Sequence, residues 1–140
     1  MAFTLAKDHT LSFYLRWDEY PADPGASLSG YAAPTDLDLY LYEAGEPNTP
    51  IAGSVRNQTA GQVLPYEAFS FTAPEAGTYN LTIYRWSNNT ATPTVDLYVL
   101  GYDKAQEYQT SSYSIVEPGV SPNVLTVGAV KYDTNIIRPY

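Results

Sequence analysis

Asp36 and Asp38 stand two residues apart, and Asp96 opens a second copy of one short pattern. Asp38-Leu39-Tyr40-Leu41 and Asp96-Leu97-Tyr98-Val99 both read Asp-apolar-Tyr-apolar. In an extended chain, residues i and i+2 project to the same side. Asp36 and Asp38 therefore offer two carboxylates from one face, and Asp96 joins them if its strand is a neighbour. Hard cations such as calcium take six to eight oxygen ligands, mostly carboxylate and carbonyl. Asp36, Asp38 and Asp96 are accordingly the candidate Ca2+ ligands. The alternative is that these carboxylates are solvated, or bonded to Tyr and Arg across a sheet.

The same parity carries aromatic residues. Tyr40, Tyr42, Tyr84, Trp86 and Tyr98 all fall on the polar side of their strands. If those strands neighbour one another, the five form an aromatic face that could stack sugars or hold an extended peptide. Such residues also suit half-buried strands and make cross-strand pairs, so the row could equally pack against another domain.

Covalent catalysis has little to build from. A nucleophilic serine needs a base beside it and an acid to orient that base. His9 is the one histidine of the chain, and it sits in the polar link Lys7-Asp8-His9-Thr10. There is no Gly-x-Ser-x-Gly elbow and no Gly-Thr-Ser. His9 reads as a solvated loop residue, and no enzymatic activity is expected of these residues alone. The absence of cysteine excludes disulfides and thiolate metal sites.

The elements that would position these groups are strands. Thr10–Trp17 sets Leu11, Phe13, Leu15 and Trp17 against Thr10, Ser12, Tyr14 and Arg16. Residues 36–42 set Leu37, Leu39 and Leu41 against the aspartates and tyrosines. Phe69 and Phe71 share a face within 67–73. Tyr79, Leu81 and Ile83 alternate with polar residues in 77–86, and Val95, Leu97 and Val99 do so in 94–100. Period two throughout is the mark of half-buried strands. Turn signals at Pro21-Ala22-Asp23-Pro24-Gly25, Gly45-Glu46-Pro47-Asn48, Pro74-Glu75-Ala76-Gly77 and Asn88-Asn89 separate the runs. This spacing predicts an all-β, antiparallel sandwich with very little helix. Eleven prolines, nine glycines and fourteen tyrosines agree with it. A net charge of −8 offers no basic patch for phosphates, which argues against nucleic acid. No apolar run approaches the ~20 residues of a membrane span. The start, MAFTLAKDHT, lacks an apolar signal core, so any export signal is expected upstream of Met1.

The last segment differs from the rest. Residues 123–130, Asn-Val-Leu-Thr-Val-Gly-Ala-Val, are apolar at both parities, as expected of a strand covered on both faces of a largely parallel sheet. Pro122 to Val130, followed by Asp133, Ile137 and Arg138-Pro139-Tyr140, resembles the subtilisin-like serine proteases over roughly 111–140. In that family such a strand lies between the oxyanion-hole asparagine and the catalytic serine.

A second resemblance spans roughly 11–101. Asp36-Leu37-Asp38-Leu39-Tyr40-Leu41 and the turn Pro74-Glu75-Ala76-Gly77-Thr78-Tyr79 look like the pre-peptidase C-terminal type of jelly-roll domain, which accompanies secreted proteases. Together the two imply a jelly-roll-like sandwich at 1–110, inserted in a secreted subtilase, and the start of the returning α/β core at 111–140. The implied partner is the host catalytic domain in the same parent chain, which would supply the whole catalytic triad. The alternative is a stand-alone module that binds carbohydrate or calcium. A detached apolar strand at 123–130 is expected to add to the sandwich, pair with a second copy as a homodimer, or be poorly ordered.

Overall fold

A computed structural model of the chain describes residues 1–23, 27, 29–61, 63–87 and 89–103. The expected strand at 123–130, the subtilase-like segment 111–140 and the Pro24-Gly25 turn lie outside the described residues.

Seven strands are present among the described residues: β1 (Ala2–Leu5), β2 (Thr10–Trp17), β3 (Leu37–Glu43), β4 (Pro50–Ser54), β5 (Tyr66–Thr72), β6 (Gly77–Arg85) and β7 (Val95–Leu100), with one 3-10 turn at Gln58–Ala60. They form two antiparallel sheets, ordered β1-β6-β3-β4 and β5-β2-β7. The fold is an all-β sandwich. No described helix is long and apolar enough to cross a membrane.

The inward parities meet as expected. Leu11, Phe13, Leu15 and Trp17 of β2 are buried against Leu37, Leu39 and Leu41 of β3 and Tyr79 and Leu81 of β6. Aromatic pairs bridge the layers: Phe3 meets Phe13 edge-on at 5.4 Å between ring centroids, and Phe71 meets Tyr79 at 5.0 Å. Such geometries add about 0.5–1.5 kcal/mol beyond area burial.

Ile83 departs from the pattern. It shares its face with Tyr79 and Leu81 yet is 40% exposed. The partnering of β1 runs from Gly77 to Asn80, with Met1 and Leu81 exchanging hydrogen bonds one pair beyond. At Ile83, therefore, β6 has run past the end of its neighbour, opposite a sheet of three strands rather than four.

Strands β1 and β4 were not foreseen. β1 offers only two buried residues, Phe3 and Leu5, too few for a visible alternation. β4, Pro-Ile-Ala-Gly-Ser, holds two residues that weaken strand readings; Pro and Gly are tolerated here because β4 is a sheet edge. A Cβ at Gly53 would come within 2.5 Å of the Leu39 carbonyl oxygen, so close approach of β3 and β4 requires glycine.

The first and last parts of the sandwich touch. Phe3 packs on Tyr102 at 5.1 Å, and the Thr4 amide donates to the Tyr102 hydroxyl at 3.4 Å. His9 is exposed, with its Nε2 2.6 Å from the Gly101 carbonyl oxygen.

Candidate functional site

Strand β3 pairs with β6 from Leu37↔Arg85 to Glu43↔Tyr79. The Trp86 amide donates to the Asp36 carbonyl at 3.0 Å, which carries the ladder one pair further. The pairing puts Tyr84 opposite Asp38 and Trp86 beside Asp36. Four of the five expected aromatic residues thus come together. Tyr42 and Tyr40 have ring centroids 6.3 Å apart, Tyr40 and Tyr84 6.5 Å, and Tyr84 and Trp86 5.1 Å. Tyr84 is 48% exposed and Trp86 58%. Tyr98 lies elsewhere, on β7 of the other sheet, where the Arg16 guanidinium sits 5.5 Å from its ring centroid.

The three aspartates divide the same way. Asp96 is in β7 opposite Arg16, whose Nε donates to its Oδ2 at 3.1 Å. The cross-sheet Arg pairing weighed for these carboxylates describes Asp96. It does not adjoin Asp36 and Asp38, because β3 and β7 belong to different sheets. Among the described residues no group of three or more His, Cys, Asp or Glu is placed to hold a metal ion. The acidic loop after Trp17 is structural in part: Asp18 Oδ1 accepts from the Thr94 amide at 2.9 Å. The Glu19 carboxylate accepts from Trp17 Nε1, the Thr35 amide and the Thr35 hydroxyl.

Asp36 and Asp38 are largely closed to solvent and reach it only through the cleft they line. They are 8% and 3% exposed, although their parity faces away from the core. The chain after β4 accounts for this. Asn57 caps the 3-10 turn, its Oδ1 accepting from the Ala60 amide at 2.9 Å and the Thr59 hydroxyl at 2.8 Å. The turn sets the Gln58 amide on Asp36 Oδ1 at 3.3 Å. The Tyr40 hydroxyl donates to Asp38 Oδ2 at 2.9 Å. Burial raises the Asp38 carboxyl above its ordinary value of 3.8; hydrogen bonds from Tyr40 and Trp86 oppose this, and the charges of Asp36 and Glu67 reinforce it.

Between these elements lies a cleft of about 540 Å³, lined by Asp36, Asp38, Tyr40, Val55, Asn57, Thr59, Trp86 and Ser87. Its volume falls within the ~300–1,000 Å³ of small-molecule sites. No family model, no curated protein and no solved structure matches the chain.

Sequence reasoning foresaw Asp36, Asp38, Tyr40 and Trp86 but missed the opposite wall of Val55, Asn57 and Thr59. It also missed Glu67, which is fully buried and anchors that wall. Its Oε2 accepts from the Ser54 hydroxyl and from Arg56 Nε at 3.4 Å. Its Oε1 accepts from the Arg56 amide at 2.8 Å and Gln58 Nε2 at 2.6 Å. One signal was present: Glu67 shares the parity of Phe69 and Phe71.

Proposed function

We propose that the chain is a non-catalytic accessory domain of a secreted subtilisin-like serine endopeptidase, contributing to substrate access, stability or targeting. The observation that carries this reading is the contact of Phe3 and Thr4 with Tyr102. An inserted domain must receive and return the host chain at neighbouring points, and the sandwich has such a pair. The likeness of 111–140 to the strand before a subtilase nucleophile, and of 11–101 to pre-peptidase C-terminal jelly-roll domains, supports the same assembly. Jelly-roll connectivity, secretion and the protease host are all parts of the proposal. In the intact protein, acyl transfer would use a Ser-His-Asp triad supplied by the host.

The parent reading frame tests it. Asp and His motifs upstream of Met1, with Gly-Thr-Ser downstream of Tyr140, are the expected result. A stop codon soon after Tyr140 overturns it. In the parent protease, deletion of the sandwich is then expected to lower turnover of polymeric substrates more than turnover of a short chromogenic peptide.

The second reading, a stand-alone binding module, is favoured by the cleft between Trp86 and the buried aspartates. It shares the non-catalytic character and differs in having no host.

A further inference from the structure

The chemistry of the cleft identifies a ligand class, whether or not a protease surrounds the sandwich. We propose that the cleft lined by Trp86, Tyr40, Asp36, Asp38, Asn57 and Thr59 is a carbohydrate-binding site that takes neutral sugar rings of an oligosaccharide.

A sugar ring presents an apolar C–H face and a rim of hydroxyls, each of which donates one hydrogen bond and accepts others. The cleft offers a counterpart to both. Trp86 is a large, well-exposed aromatic surface whose rotation is limited by edge-on contact with Tyr84 at 5.1 Å. Aromatic rings of this kind supply apolar contact area at low entropic cost. The polar lining mixes acceptors with donors: carboxylates from Asp36 and Asp38, hydroxyls from Thr59 and Ser87, and the amide of Asn57. The Asn57 Oδ1 is committed to its cap, so its NH2 group is the part left to donate.

The burial of the carboxylates favours sugars over cationic peptides. Asp38 Oδ2 already holds the Tyr40 hydroxyl, and Asp36 Oδ1 already holds the Gln58 amide. A guanidinium binds a carboxylate best as a fork using both oxygens, and residues only 8% and 3% exposed leave little surface for that approach. A sugar hydroxyl needs only one. Hard cations need more oxygens than this pair supplies, and among the described residues no third acidic or histidine ligand stands beside it.

The test uses the whole 140-residue chain with four soluble probes: cellohexaose, chitohexaose, mannohexaose and xylohexaose, each titrated by calorimetry and by tryptophan fluorescence. The expected result is saturable binding of at least one, little changed by high salt. Trp86→Ala should weaken it at least about tenfold, and Asp38→Asn should weaken it as well. Trp86 is largely exposed but also hydrogen-bonds Asp38, so each variant is titrated at a temperature where its own melting curve shows it folded. Tyr14→Ala, on the outer face of the other sheet, should bind like the parent. Lack of saturable binding to all four probes overturns the proposal. So does binding that Trp86→Ala leaves intact, which would put the sugar elsewhere. Salt-sensitive binding of an Arg-rich peptide, lost in Trp86→Ala with no response to the sugars, would also overturn it and assign the cleft to cationic polypeptide.

Discussion

Glu67 shows how a single residue can hold a ligand wall in place. A buried carboxylate is tolerated when its oxygens are saturated by donors and a cation is near. Ser54, Arg56 and Gln58 provide both. Glu67→Ala would strand a buried amide and side-chain donors together, so a loss of about 3 kcal/mol is expected. Urea denaturation measures this, and a cost below about 1 kcal/mol would show that water replaces the carboxylate. Asp38 behaves in the opposite sense. Its carboxyl is raised by burial, so the folded chain holds that proton more tightly than the unfolded chain does. The contribution is most favourable below the ordinary value of 3.8 and is lost as pH rises through the higher folded value. Asp38→Asn keeps an acceptor for the Tyr40 hydroxyl without the charge. The variant is therefore expected to gain stability relative to the parent as pH climbs from about 3 to about 7, read as a widening gap in urea midpoint. A gap that is flat across that range would mean the Asp38 carboxyl is no harder to ionise in the folded state. Half of the candidate site was legible at this scale. Parity located Asp36, Asp38, Tyr40 and Trp86, because i, i+2 spacing fixes a side. It could not locate Asn57 or Thr59, whose positions depend on a 3-10 turn and on the distant Glu67.

At the scale of elements, β2 was legible to its ends because eight residues alternate without interruption. β3, β5, β6 and β7 were legible to within a residue or so. β1 and β4 were not, since a strand of four or five residues with small or turn-forming side chains carries almost no periodic signal. What makes β4 a strand is its neighbour, and Gly53 is where that dependence concentrates. A Cβ added there would stand 2.5 Å from the Leu39 oxygen, so Gly53→Ala must push β4 away from β3. The expected cost is about 1–3 kcal/mol, in the range of overpacking. The carrier of the 54–59 wall would shift with it. Equilibrium denaturation gives the first effect. An Ala variant as stable as the parent would show that the β3–β4 approach relaxes freely. The sheet assignment of Tyr98 and Asp96 was likewise beyond sequence reading. A repeated Asp-apolar-Tyr-apolar pattern fixes the face of each strand, but which strands are neighbours is decided by the packing of the whole sandwich.

Across the whole sandwich, three of the described strands have a partner on each side, β2, β3 and β6, and four are edges, β1, β4, β5 and β7. Central strands lose both sets of ladder hydrogen bonds only when a sheet comes apart, whereas an edge can open alone. Burial is deepest in two of the central strands: Leu11, Phe13, Leu15, Leu39 and Leu41 of β2 and β3 are essentially closed to solvent, although Phe3 of the edge β1 is closed as well. Hydrogen exchange followed by mass spectrometry is therefore expected to show slowest exchange in β2 and β3, with β6 protected in its half nearer Gly77, where β1 also pairs. β4 and β7 are expected to exchange first. The cleft straddles this gradient. Asp36, Asp38 and Tyr40 belong to or adjoin the slow strand β3, while Asn57 and Thr59 follow the faster edge strand β4. A ligand that bridges the two walls must slow exchange at 54–60 and leave β2 unchanged. Protection gained uniformly across both sheets would point to global stabilisation instead, and β4 amides that outlast those of β2 in the free chain would contradict the hierarchy itself.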